Sequence, residues 1–101
     1  MAQFLFVYHG GNTPQSQQEA EAEMAQWMAW MNSDAFVDTG APVGLSKTVS
    51  TSGVADDGVS NPTSGYSVVK ASDIDAACKI AQSCPIHEKG GAVEVAEIMR
   101  M

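Results

Sequence analysis

The first strand-like segment of the chain does not alternate apolar with polar. Over Gln3 to His9, Phe4, Phe6 and Tyr8 point to one face of an extended segment, and Leu5, Val7 and His9 point to the other. A strand with one wet face carries polar residues at every second position. The pattern therefore predicts a strand covered on both sides, by helices on one face and by a second copy of the chain on the other.

Gly10, Gly11 and Asn12 break this strand, and Thr13-Pro14 offers an N-cap followed by proline at the first helical position. A helix is expected from there to about Asn32, because Met24, Trp27, Met28 and Met31 recur at the spacing of one buried face. Glu19, Glu21 and Glu23 fall in its early turns, where the positive end of the helix dipole favours them. Trp30 lies off that stripe, either at an edge of the core or covering a pocket. A short extended piece, Phe36 to Thr39, leads into a turn at "TGAPVG", and Leu45 to Thr51 reads as the second strand. Its two sides, Leu45, Lys47 and Val49 against Ser46, Thr48 and Ser50, leave open which faces inward.

"SGVADDGVSNPTSG" is dense in turn formers and reads as a loop or hairpin with a minor strand around Val54. Gly65 to Lys70 is the third main strand. Ser72 and Asp75 suggest a capping box for a second helix with Ile74, Ala77, Cys78 and Ala81 on one face, stopped by Pro85. After a "HEKGG" loop, Ala92 to Ile98 is the last strand, with Val93 and Val95 suited to the helix side. Strand, helix, strand, strand, helix, strand is the order of the ferredoxin-like α+β unit, βαββαβ, with both helices on one face of a four-stranded antiparallel sheet.

Length and composition narrow the picture. A chain of 101 residues forms a single domain, 1–101, that buries a core without a metal or disulfide staple. Cys78 and Cys84 have the spacing of neither a CxxC redox pair nor a zinc knuckle, and read as buried free thiols. Twelve carboxylates against five basic residues, a net charge of -7, disfavour nucleic acid and anionic lipid as partners. No basic, apolar leader precedes Phe4 and no run approaches the roughly 20 apolar residues of a membrane span, so a cytoplasmic protein is expected.

Candidate chemistry begins at His9, a proton carrier near neutrality beside two glycines that let a ligand approach. Asp38 could hold one ring nitrogen and make His9 and Asp38 a catalytic pair; the plainer alternative is a ring bonded to backbone. "HGGN" precedes a helix, yet lacks the GxGxxG and Walker spacings, and suits a carboxylate better than a phosphate. His87 and Glu88 are weak metal candidates, and no metal or cofactor is expected. Lys47 and Tyr66 could line a cavity, as an ammonium for an acid and a phenol that donates a hydrogen bond, or be solvated and core respectively. Glu94 is either a general base at a barrel wall or an ion-pair partner of Lys47. Trp27 and Trp30 are core, or an aromatic wall, with Trp30 the ligand-binding candidate of the two. Ser46, Ser50 and Ser67 lack a nucleophile elbow.

"FLFVYHGG", "WMAWM", "VDTGAPVGLSKTVS", "NPTSGYSVVKASDIDAA", "CP" and "GGAVEVAEIM", in this order, resemble the YCII-related family, also called the DGPF-domain family, over nearly the whole chain. The resemblance implies a ferredoxin-like domain that dimerises through its open sheet face into an α+β barrel with a cavity at or near the sheets. The family's Asp-Gly-Pro-Phe signature would fall near Asp57-Gly58, where Val59 and Ser60 follow instead, which marks a variant branch. Some members resemble small-molecule enzymes with a His-Asp acid and base, and others are linked with sigma-factor regulation.

The expectation is a homodimer that binds a small polar or aromatic organic molecule, with proton transfer by His9 and Asp38 as its possible chemistry. The alternatives are a non-catalytic metabolite sensor or regulatory partner, and a structural interaction module.

Overall fold

The computed structural model describes residues 1–11, 13–56 and 62–99. The segment containing Asp57-Gly58, like Asn12 of "HGGN", lies outside the described residues. The elements are β1 (Ala2–His9), α1 (Gln17–Met31), β2 (Phe36–Pro42), β3 (Thr48–Ser50), β4 (Gly53–Ala55), β5 (Thr63–Ala71), α2 (Ile74–Gln82), a 3-10 helix (Pro85–Lys89) and β6 (Ala92–Glu97). The four long strands form one antiparallel sheet in the order β2-β5-β1-β6. Each βαβ unit skips one strand, so the other unit's strand fits between, which is the ferredoxin-like arrangement.

Register assigns the faces. Phe4, Phe6 and Tyr8 stand opposite Val69, Ser67 and Gly65 on β5, while Phe6 and Tyr8 meet Val95 and Val93 on β6. These positions share the helix side, where Phe4, Phe6, Tyr8, Val69, Ala77, Ala81, Cys84 and Ile86 form the core. The other face carries Leu5, Val7 and His9 beside Tyr66, Val68 and Lys70, with Ala92, Glu94 and Ala96 along β6. Both helices lie on one side, and no element of the described chain forms a layer over the second face.

Four sequence expectations are corrected. The second strand of the sheet is Phe36–Pro42, and Leu45 to Thr51 contributes only β3 to a small hairpin with β4. Phe36 decides this, because it is an aromatic that packs against the core, whereas Leu45, Val49 and Val54 stay exposed. The caps also differ: Ser16 takes the amide of Glu19 at 3.1 Å for α1, and Asp73 that of Ala76 at 2.8 Å for α2, in place of Thr13 and Ser72. Third, α1 is rotated from the methionine stripe. Met24 and Met28 are exposed, and Ala20, Glu23, Trp27, Trp30 and Met31 are its more enclosed positions. The indoles bring more apolar area and an N–H that needs a partner, so they outvote the methionines. The "HEKGG" stretch winds into the 3-10 helix, and Gly90 ends it at a φ of 79°.

β2 reaches its register through a bulge between Asp38 and Ala41. Gly40 sits there at a φ of 74°, and an added Cβ would lie 1.8 Å from the Tyr66 carbonyl oxygen, so no other residue fits without moving backbone. The Asp38 carboxylate accepts the Gly40 amide at 2.8 Å and fixes the turn. Across the same level of the sheet, the buried Tyr8 hydroxyl donates to Ser67 Oγ at 2.8 Å, which in turn donates to the Thr39 carbonyl at 2.7 Å. Three strands are thereby tied by one polar chain inside the core.

Both cysteines are free, with Cys84 buried and Cys78 half-buried. Burial pushes the Cys84 thiol up to about 11 and lifts the Tyr8 phenol well above its usual range, against the opposing pull of its hydrogen bond to Ser67.

Two predictions follow from these positions. Gly40→Ala forces a side chain into the Tyr66 backbone and lowers stability by about 2 to 4 kcal/mol, read from chemical denaturation. Above the thiol's ordinary value of 9.0 the unfolded chain releases a proton that the folded chain keeps, so stability falls as pH rises toward about 11. Denaturation midpoints measured from pH 8 upward should show this decline, and Cys84→Ala should flatten part of it.

Candidate functional site

Two places in the fold gather polar chemistry, and they lie on opposite faces of the sheet. The first arises because α1 cannot approach the sheet closely. No residue of α1 is fully buried. Its contacts are made through long aromatics: Trp30 stacks on Phe6 at a centroid distance of 6.3 Å and meets Phe36 edge-on at 4.9 Å, while Trp27 meets Tyr8 edge-on at 4.8 Å. The Trp30 indole N–H is shared between the Ile80 carbonyl at 3.2 Å and Ser83 Oγ at 2.9 Å, so the same side chain locks α1 to the end of α2.

Beside these props a half-open groove of about 750 Å³ remains. It begins at Gly10, Gly11, Thr13 and Pro14, where the chain leaves β1, and ends against Thr39 to Val43 of the β2 bulge and its exit. Tyr8, Met24, Trp27 and Met31 form its walls. Among the described residues, its charged lining groups are Glu23 and Lys89. Lys89, held at the end of the 3-10 helix, places Nζ 3.0 Å from Glu23 Oε1 and 3.6 Å from Glu19 Oε1. That Glu23 oxygen is sealed from solvent and meets the ammonium as an ion pair without a well-directed hydrogen bond. Contact with the Glu23 carboxylate raises the Lys89 ammonium above its ordinary value.

The second place is the open sheet face. His9 Nε2 is 2.9 Å from Glu94 Oε1, and its Nδ1 is 3.3 Å from the Pro62 carbonyl oxygen. Cross-strand register explains the pairing, since His9 stands opposite Ala92 and Glu94 is the next β6 residue on the same face. The ring is largely covered, with 13% of the His9 side chain exposed, whereas Glu94 is 64% exposed. Both ring nitrogens face acceptors, and a neutral ring has one N–H to divide between them.

The remaining candidates are dispersed. Asp38 shares the open face with His9, but it stands opposite Val68, which stands opposite Leu5. That is two strands and four residues from His9, about 16 Å, and the Asp38 carboxylate holds the β2 bulge. Lys47 precedes β3 and meets Asp56 at 3.3 Å on the surface, away from Glu94. Tyr66 is 39% exposed and borders the groove. Trp30 stands behind the groove and Trp27 lines it. His87 Nε2 meets the Ala81 carbonyl at 2.9 Å, and Ser67 is spent on the Tyr8 chain. Among the described residues no three His, Cys, Asp or Glu side chains converge on a point fit for a metal ion. None of their helices is long and apolar enough to cross a membrane.

Sequence reading did not single out the pairing of Glu23 with Lys89. The signal was present: Glu23 sits three residues after Ala20 and four before Trp27, inside the helix face that turns inward, and a carboxylate there demands a cation from elsewhere in the fold.

No curated protein and no solved structure matches the chain. The YCII-related domain matches residues 4–101, from the third residue of β1 through β6. The protein belongs to the YCII-related family.

Proposed function

We propose that this protein binds a small organic molecule in the groove beside α1 and works as a homodimer joined through the open sheet face. The observation that carries the binding reading is the groove itself. Its volume of about 750 Å³ falls in the range of small-molecule sites, and its walls combine indole and thioether surface with one ion pair. The dimer reading is supported by the open layer: Leu5, Val7, Val68 and Ala96 form an apolar strip on a face over which no element of the described residues forms a second layer. On this reading the protein is a metabolite sensor or carrier, in which occupancy is the output.

A second reading, acid–base catalysis, is favoured by the His9–Glu94 contact of 2.9 Å. Its ligand would lie on the open sheet face, in a cavity enclosed by two subunits. Within one subunit His9 is oriented by Glu94, so a His9–Asp38 pair requires residues from two subunits.

The two sites are separable by mutation. In a screen of purified protein by native mass spectrometry, Trp27→Ala weakens ligand capture at least tenfold and His9→Ala changes it less than twofold. The reverse pattern, joined to loss of turnover in His9→Ala, assigns the function to the sheet face. For the assembly, sedimentation at micromolar concentration should give a dimer, and Val68→Glu, which sets a charge in the middle of the apolar strip, should give a folded monomer. A wild-type monomer would remove the dimer from the proposal.

A further inference from the structure

Taking the groove as the ligand site, we infer that its ligand class is the small organic cation, an amine whose ammonium lies toward Glu23 and whose apolar body lies along Trp27, Met24 and Met31. Charge at the Glu23 end carries the inference. Lys89 is held by two carboxylates, Glu23 at 3.0 Å and Glu19 at 3.6 Å, so the three groups sum to one negative charge. An incoming anion finds an ammonium already matched. An incoming cation supplies the charge that is missing, in a groove where apolar walls reduce the screening that water would give.

The start of α1 does not offer an anion site in compensation. Ser16 caps the Glu19 amide at 3.1 Å, and Glu19 Oε2 takes the Gln15 amide at 3.4 Å, so the helix end is supplied with its own oxygen acceptors. Among the described groove residues no second cation accompanies Lys89. The wall facing this end is also suited to a cation. Trp27, one helical turn after Glu23, lines the groove beside the largely buried Tyr8, and an indole is the ring that attracts a cation best. The net charge of -7 adds a long-range field of the same sign.

The test uses three probes of one shape: 2-phenylethylamine, 2-phenylethanol and phenylacetate, titrated into the intact protein at pH 7 and followed by tryptophan fluorescence and calorimetry. The amine is expected to bind at least tenfold more tightly than the alcohol, and the alcohol more tightly than phenylacetate. Raising salt from 50 to 500 mM should weaken the amine severalfold and leave the alcohol unchanged. Glu23→Gln should abolish the preference for amine over alcohol while the alcohol's affinity holds. Should that variant fail to fold, Glu19→Gln, which removes one charge at the exposed end of the triad, is expected to reduce the preference at least threefold. Alcohol binding as tight as the amine's, or tighter binding of phenylacetate, overturns the cation inference and leaves the groove a ligand site. If none of the three probes binds, both the inference and the groove reading fall.

Discussion

The contact of Trp30 with Phe6 and Phe36 sets the spacing of the two layers, and most of what is unusual in the fold depends on that spacing. A helix packed through alanine and leucine would settle closer to the sheet and fill the volume beside it. Here the indole stands between helix and sheet, stacked on Phe6 and held at its N–H by Ile80 and Ser83. Burying an aromatic of this size contributes several kcal/mol, more than the exposure of Met24 and Met28 costs, since isolated exposed side chains are common on protein surfaces. The helix therefore turns its indoles inward and leaves its methionines at the rim. A groove is the geometric remainder of that choice.

The sheet edge completes the site by a different device. The β2 bulge carries Thr39 to Pro42 toward the groove, and it exists because Gly40 can hold a positive φ against the Tyr66 carbonyl and because Asp38 caps its amide. Asp38 illustrates how one residue type serves two expectations. In the sequence it is a carboxylate at a strand, equally available to orient a histidine or to make a turn. Two residues before a glycine, the turn is the local solution, requiring no partner from another strand. The carboxylate beside His9 comes instead from Glu94, which register alone delivers.

The parts of the fold legible in the sequence were those governed by periodicity. The strands β1 and β5 and the placing of Val93 and Val95 on the helix side rest on patterns within one segment, and register bears them out; the order of elements adds the helical spacing and breakers between them. The parts that were not legible depend on contacts between segments. Leu45 to Thr51 looks more strand-like than Phe36 to Pro42 because it runs seven residues without the glycine and proline that interrupt the other segment, but nothing local records that Phe36 has an aromatic cluster waiting for it. The same holds for α1. Counting apolar positions chose the methionine stripe, and only the position of Ile80 and Ser83 on another helix shows why Trp30 faces inward. Glu23 and Lys89 are far apart in sequence, so their pairing could be expected only as an unsatisfied demand.

The two candidate sites also differ in what completes them. The groove is assembled within a single chain: its walls and its ion pair all come from elements that pack together in it. His9 and Glu94 lie on a face whose apolar neighbours, Leu5, Val7 and Val68, have no second layer above them among the described residues. Glu94, 64% exposed, meets His9 directly at 2.9 Å, yet the water around its carboxylate screens the pair, which gains strength when that water is displaced. A second subunit on this face would do so, and would sharpen the electrostatics of the pair without touching the groove on the far side. The two places are therefore set on opposite faces of one sheet, the core layer of Phe4, Phe6 and Tyr8 between them, and they approach each other where β1 ends, since Gly10 of the groove directly follows His9.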